Sequence, residues 1–410
     1  MSWEPPKLVQ EGGFASSQPS YFAVGLLDRA MAMLDETSAV GFEAIVELQG
    51  DIDEEALGEA WRRLAVRHPI LSCVRRKDTW QPTGSPPLGP DVSQPRHEDP
   101  PVGLRLTAIP GGVQLAVLCN HVAFDGMASV VLLRDLSEEY HAVLAGAAAQ
   151  ATDWSPRTLE AVVDEPLQWR TVAAAAMRGF TTWWQTPPST HVDPEGSAEA
   201  PASEHALMEL GPVLEALAPH RRKYRWSTDA VLVGVLEKAW TSVFGAPTAA
   251  SSWLVAQDLR PALGVTRGIG NLSLITGLSI PDPRSDLFSV IDGANAMINA
   301  RADELVSAAA AIPLMGGLAE PSLVPALRRS DKRRHHRSVS NVGQLADSLD
   351  DWGSASLQRV WFVGPLADPP YTSFIAAGHG PSTLVSVRTS PHWLTLEHAR
   401  GLERAALEFV

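Results

Sequence analysis

Cysteine is scarce: Cys73 and Cys119 are the only two in 410 residues. They make no disulfide framework and no zinc motif. Cys119 lies in an apolar run and reads as a small buried hydrophobe. A reduced, cytoplasmic setting fits this usage. Basic charge is also short, with 33 Lys and Arg against 47 Asp and Glu and a formal net charge of −14. That balance excludes general nucleic-acid binding, which needs a basic surface. It also argues against an anionic membrane surface as the main partner. No stretch approaches the ~18 consecutive apolar residues of a membrane span. The opening MSWEPPKLVQEGG lacks an apolar h-region, so no signal peptide is expected. No short solenoid-type repeat is present. What remains is ordinary for a soluble globular chain: 45% hydrophobic and 20% charged, enough for a large core.

Strand and helix patterns alternate along both halves. In VGFEAIVEL, Phe42, Ala44, Val46 and Leu48 alternate with Gly41, Glu43, Ile45 and Glu47, as in a strand. DIDEEALGEAWRRLAVRHPILS then reads as a helix capped by Asp51 or Asp53. Leu57, Trp61, Leu64 and Ala65 fall on one face, and His68-Pro69 ends it. Residues 79–103 read as a loop or irregular edge, and LRLTAIPGGVQLAVLC as a hairpin turning at Pro110-Gly111-Gly112. In the second half, Ser227 or Thr228 caps a helix that Gly245 ends. SSWLVAQDLRP, NLSLITGLSI, SLQRVWFVGP, SFIAAGHG and STLVSVRTS read as strands, and TLEHARGLERAALEF as a closing helix. This mixture predicts an α/β fold. The small, polar, proline-bearing stretch 189–205 is the expected linker between 1–188 and 206–410.

The run LAVLCNHVAFDGMASVVLL carries the chemistry. An almost continuously apolar strand, Val113–Cys119, meets an apolar-striped helix, and His121 and Asp125 sit at the junction. Ligand sites in α/β folds lie beyond strand ends and near helix starts. A histidine with an ordinary pKa near 6.5 can take a proton at neutral pH. Asp125 could orient the imidazole directly, or fix the loop by pairing with an arginine. Gly126 permits a backbone conformation that a Cβ would strain.

NHVAFDG resembles the His-His-x-x-x-Asp-Gly motif of the chloramphenicol-acetyltransferase-like superfamily. Its members include peptide-synthetase condensation domains, acyltransferases of mycobacterial polyketide lipids, wax ester synthases and plant BAHD acyltransferases. Other segments resemble family elements in the family's order. DIDEEALGEAWRRLAVRHPILS resembles the first-lobe helix, TTWWQT the crossover helix, and STDAVLVGVLEKAW the second-lobe helix. DLRPALGVTRGIGNLSL resembles the arginine-bearing strand with its Gly-Asn turn, and SVSNVGQL the Ser-Asn-x-Gly strand. The BAHD Asp-Phe-Gly-Trp-Gly motif is not found near the C-terminus.

The resemblance implies two lobes forming a V with a central tunnel. It makes His121 the general base, which deprotonates an acceptor hydroxyl or amine that then attacks a thioester carbonyl. No acyl-enzyme and no bound cofactor are implied; acyl-CoA or a phosphopantetheinyl thioester is substrate. Asp125 is expected to pair with Arg260 of DLRP and, with Gly126, to support the site. Asn120 stands where many members have the first histidine; it can bond loop backbone but cannot accept a proton. Ser340 and Asn341 either line the tunnel and bind the developing oxyanion or are ordinary strand residues. The basic run 328–337, RRSDKRRHHR, is either a solvated loop or a dock for an acyl or peptidyl carrier protein or for coenzyme A phosphates. Arg333 and Arg334 are its candidate contacts.

No metal site is expected, because adjacent His335 and His336 are poorly spaced as ligands. His68 reads as structural or surface, Asn271 as a turn residue, and Trp183 and Trp184 as packing between lobes. The expectation is a stand-alone condensation-type acyltransferase of secondary metabolism forming an ester or amide. The alternatives are a member using the tunnel for cyclisation, dehydration or another rearrangement, and a non-catalytic binder of carrier-borne intermediates.

Overall fold

The computed structural model describes residues 22–35, 41–84, 86–89, 91–96, 98–151, 157–162, 205–245, 250–265, 267–302, 337–345, 349–365, 372–389 and 396–409. The expected crossover helix, residues 189–204 of the linker, and Arg333 and Arg334 lie outside them.

The first half runs β1 (Phe22–Ala23), α1 (Leu26–Asp35), β2 (Gly41–Gln49) and α2 (Glu54–Arg67). Then come the hairpin β3 (Cys73–Arg76) and β4 (Thr79–Pro82), β5 (Leu88–Gly89), the hairpin β6 (Val102–Ile109) and β7 (Gly112–Asn120), and α3 (Gly126–Leu144). Asp53 is the cap of α2, its carboxylate accepting the Ala56 N–H at 2.9 Å; such a cap contributes about 1 kcal/mol. Part of the expected loop 79–103 is regular: Thr79–Pro82 pairs antiparallel with Cys73–Arg76.

The second half begins with β8 (His205–Glu209), so residue 205 is strand rather than linker. Helices follow over Gly211–Tyr224 and Thr228–Phe244, the latter capped by Ser227. Next are β9 (Ser251–Asp258), β10 (Ser273–Ile280) and a helix over Leu287–Ala302. The chain then forms β11 (Arg337–Gln344), β12 (Asp351–Trp352), β13 (Ala355–Val363), β14 (Thr372–His379), β15 (Ser382–Thr389) and a closing helix, Leu396–Leu407.

Among the described residues, two six-stranded sheets organise the fold, ordered β12-β13-β2-β7-β6-β5 and β10-β9-β11-β14-β15-β8. The first corrects the division at 189–205. Strand β13, from the second half, pairs along β2 from Ser356↔Gln49 to Val363↔Glu43. Residues 351–363 therefore belong to the first sheet, because β2 would otherwise present an open edge beside β7.

Strand alternation explains the continuous apolarity of β7. On one face Leu115, Val117 and Cys119 join Ala44, Val46 and Leu48 in a core with α2 and α3. On the other face Ala116 packs with Ile45, Trp361, Val363 and, from β15, Leu384. The second lobe thus covers part of the back of the first sheet. A separate core in the second lobe packs Trp253, Val339 and Phe374 against Val235, Trp240 and Ile291. Among the described residues no helix is long and apolar enough to cross a membrane.

Candidate active site

The loop between β7 and α3 is built by Asn120. Its carbonyl accepts the N–H groups of Ala123 (3.0 Å) and Phe124 (3.3 Å), closing a tight turn. Its side-chain Oδ1 accepts the Val122 N–H at 2.8 Å, and its Nδ2 donates to the Pro95 carbonyl at 3.4 Å. A short amide that bonds the backbone two residues on favours turns over continued strand. Asn120 is buried and serves the turn; the structure pairs it with no charged group.

Asp125 ends the loop as the N-cap of α3, accepting the Ala128 N–H at 2.8 Å. It is 1% exposed, and so is bonded from every side. Arg260 reaches it with two N–H donors, Nη2 to Oδ1 at 2.9 Å and Nη1 to Oδ2 at 3.0 Å. The Leu272 N–H and the Ser273 hydroxyl each donate to Oδ2 at 2.7 Å. Burial alone would push the carboxyl up. Arg260, Ser273 and the Ala128 N–H instead hold it below the usual carboxylate range. Arg260 is equally committed: Nε and Nη2 donate to the Gly268 carbonyl, Nη2 to that of Gly270, and Nη1 to Asp258. The structure brings Asp125 and Arg260 together as a bidentate pair spanning the two halves of the chain, and Asp125 makes no hydrogen bond to His121.

Gly126 differs from expectation. Its φ is not positive, and a Cβ there would meet Val342 Cγ2 at 3.7 Å, an ordinary contact. It is the first helical residue after the cap and holds no strained conformation.

His121 is half-buried, with its ring edge-on to Phe42 at 5.2 Å. Its Nδ1 is buried with no hydrogen-bond partner among the described residues. Burial pushes its pKa below the ordinary 6.5, while the Asp125 charge pushes back. The ring is therefore neutral at neutral pH, the state a general base requires.

Three residues of the site escape the sequence reading. Asn271 is no simple turn residue. Its Nδ2 donates to the carbonyls of His121 (2.9 Å) and Val122 (2.8 Å) and to Asp28 Oδ1 (3.1 Å). Asp28, on α1, also accepts from Arg157 Nη2 at 2.9 Å and from Trp80 Nε1 at 3.3 Å. Gly270 allows this approach, since a Cβ on it would lie 1.9 Å from the Arg157 carbonyl oxygen. The quoted Gly-Asn turn was the available signal for Asn271; Asp28 and Arg157 had none.

Ser340 and Asn341 face opposite ways. Asn341 lies opposite Ala376 of the second core and donates to Asp229 Oδ1 at 2.9 Å, while its own Oδ1 accepts the Gly343 N–H at 2.9 Å. Ser340 lies opposite Ile375, which packs into the first core. The structure does not bring the two side chains to one point. His68 is buried and bonded to Asp135 at 2.7 Å. Among the described residues no group of three His, Cys, Asp or Glu side chains could hold a metal ion.

No protein-family profile matches the chain, and no curated protein is significantly similar to it. Solved structures are similar. Polyketide synthase associated protein 5 from Mycobacterium tuberculosis aligns with a TM-score of 0.69 at 16% identity, over 95% of this chain and 98% of that one. The starter condensation domain of rhizomide synthetase, solved with C8-CoA and Leu-SNAC, aligns with a TM-score of 0.68 at 11% identity, over 95% and 94%. The fold is that of condensation domains. An epimerization domain of tyrocidine synthetase B shares it, with a TM-score of 0.66, 14% identity and 95% and 96% coverage. Condensation and epimerization domains thus share one fold, and the fold alone does not specify the reaction.

Proposed function

We propose that this chain is a condensation-type acyltransferase that joins an alcohol or amine to an acyl or aminoacyl thioester. The observation that carries the reading is His121: a half-buried imidazole, held neutral by burial, at the end of a central strand and at the seam of two lobes. The acceptor O–H or N–H gives its proton to Nε2 as oxygen or nitrogen attacks the thioester carbonyl. The tetrahedral intermediate collapses with cleavage of the C–S bond. The imidazolium returns the proton to the departing thiolate, so the products are an ester or amide and a free thiol. Asp125 and Arg260 do not touch the reacting atoms; they hold the loop that presents His121. Ser340, on the face turned to the first lobe, is the better placed of the two strand residues to meet a developing oxyanion.

The donor is carried by coenzyme A or by an acyl or peptidyl carrier protein, with Arg333 and Arg334 as contacts for its phosphates or acidic surface. No bound cofactor takes part in this scheme. A secondary-metabolite setting in the cytoplasm belongs to the same reading.

Substituting His121 with Ala tests it, in a screen of carrier-bound and coenzyme A donors with mass detection of product. The expected loss is about 10²–10⁴-fold in transfer with donor binding retained. Undiminished transfer overturns the assignment of the base. The likeness to an epimerization domain favours one second reading, a rearrangement of the bound donor. Its signature in the same screen is a His121-dependent product that incorporates no acceptor.

A further inference from the structure

We propose that Asn271 is a positioning residue that fixes the His121 ring in the tautomer protonated on Nδ1, leaving the Nε2 lone pair free to act as base. The proposal rests on the reading of His121 as a general base.

Asn271 is 3% exposed and comes from the second half of the chain, whereas His121 belongs to the first. Its amide orientation is dictated by its neighbours. Nδ2 lies 2.8–3.1 Å from two carbonyl oxygens and one carboxylate oxygen, all acceptors. Turning the amide over would set an oxygen against three oxygens. Oδ1 must therefore point away from those three partners.

That Oδ1 is buried and has no hydrogen-bond partner, and the same is true of His121 Nδ1. Each atom left alone carries an uncompensated desolvation penalty. The two are chemically complementary. Oδ1 can only accept, and Nδ1 can donate in one of the two neutral tautomers. They also belong to residues already in contact, because Asn271 Nδ2 holds the carbonyl of His121 itself at 2.9 Å. The Asn271 side chain is also among the groups that act on the imidazole itself. In the opposite tautomer two lone pairs would face each other, and Nε2 would carry the proton it is required to accept.

The surrounding charges do not select a tautomer in Asn271's place. Asp125 is paired with Arg260, and Asp28 with Arg157. The backbone groups of His121 and Phe124 favour a proton on the imidazole in the same sense as the Asn271 amide, which is the one side chain among these three acceptors.

The test uses the full chain with ¹⁵N-labelled histidine and ¹³C-labelled asparagine. At neutral pH the unsubstituted protein should show His121 protonated on Nδ1 and bare on Nε2. The side-chain carbonyl carbon of Asn271 should shift as His121 titrates. A ring protonated on Nε2, or a carbonyl resonance flat through that titration, overturns the proposal without needing a variant. Asn271→Leu should populate the other tautomer and lower kcat by about ten- to a hundredfold, as for other partners that orient a functional histidine, with little change in KM. A Leu variant that keeps the Nδ1-protonated ring also overturns it. Failure of the base reading shows separately, as transfer surviving His121→Ala whatever the tautomer.

Discussion

Two buried arginine–carboxylate pairs use the same chemistry to different ends. Arg260 and Asp125 meet through two N–H donors across the seam between the lobes, and the remaining lone pairs of Asp125 are filled by backbone and hydroxyl donors. Arg337 and Glu237 lie inside the second lobe at 3.1 Å. Arg337 is sandwiched between Trp240 at 4.8 Å and Trp253 at 4.5 Å. Glu237 Oε2 accepts from the Ser251 hydroxyl and from Trp253 Nε1 at 2.6 Å each, but Oε1 has no hydrogen-bond partner, and Arg337 Nη1 meets Oε2 without hydrogen-bond geometry. The electrostatics diverge accordingly. Burial depresses the Arg337 guanidinium despite Glu237, whereas Asp125 and Asp258 raise Arg260 against its own burial. A saturated pair can act as a clamp; a half-satisfied pair set among tryptophans is mainly packing.

Removing one member of the saturated pair should do the most damage. Arg260→Ala strands Asp125 in a buried site and is expected to cost about 3–5 kcal/mol, read by urea unfolding. A loss below about 1 kcal/mol would erase the distinction between the pairs. The converse experiment replaces the other pair whole. Arg337→Met combined with Glu237→Gln should leave stability unchanged or raise it by about 1–4 kcal/mol; a large loss would make that pair a clamp as well.

The pH dependence sharpens the comparison further. Asp125 is lowered in the folded state, so its contribution is complete above its unfolded pKa near 3.8 and is lost as pH falls through the folded value. His121 is lowered too, so the unfolded chain takes its proton first and stability falls as pH drops below 6.5. The acid limb of kcat/KM should accordingly lie below 6.5, and a limb at or above that value contradicts a burial-depressed base. The smallest effect belongs to the turn. Asn120→Ala should cost about 0.5–1.5 kcal/mol of stability and leave the chemical step nearly intact. A collapse of rate at unchanged stability would give Asn120 a catalytic role instead.

Local chemistry was the legible part of this protein. Asp53 and Ser227 cap because a short acceptor before an apolar stripe can do little else. The Asp125–Arg260 contact followed from motif order, not from spacing. Three kinds of feature were hidden. The helix Gly211–Tyr224 carries Pro219 in its interior and the helix Leu287–Ala302 carries Gly293, both residues that disfavour helix interiors. The hairpin β3–β4 turns on Lys77 at φ 54°, without the glycine or asparagine that marks such turns. The pairing of β13 with β2 joins residues some 300 positions apart, and no local pattern specifies it. Asn271 was hidden differently: a turn residue and a site residue look alike until the three oxygens around its amide nitrogen are placed.

The placement of β13 has a consequence for how the molecule is made. Strand β2 is synthesised early, yet its neighbour on one side is encoded at 355–363. On the ribosome, the first lobe must wait with that edge uncovered until four of the six strands of the second sheet have been made. Long-range pairing of this kind slows folding and prolongs exposure of an apolar strand edge. A nascent chain arrested before residue 355 is thus the species in which chaperone dependence and aggregation should concentrate.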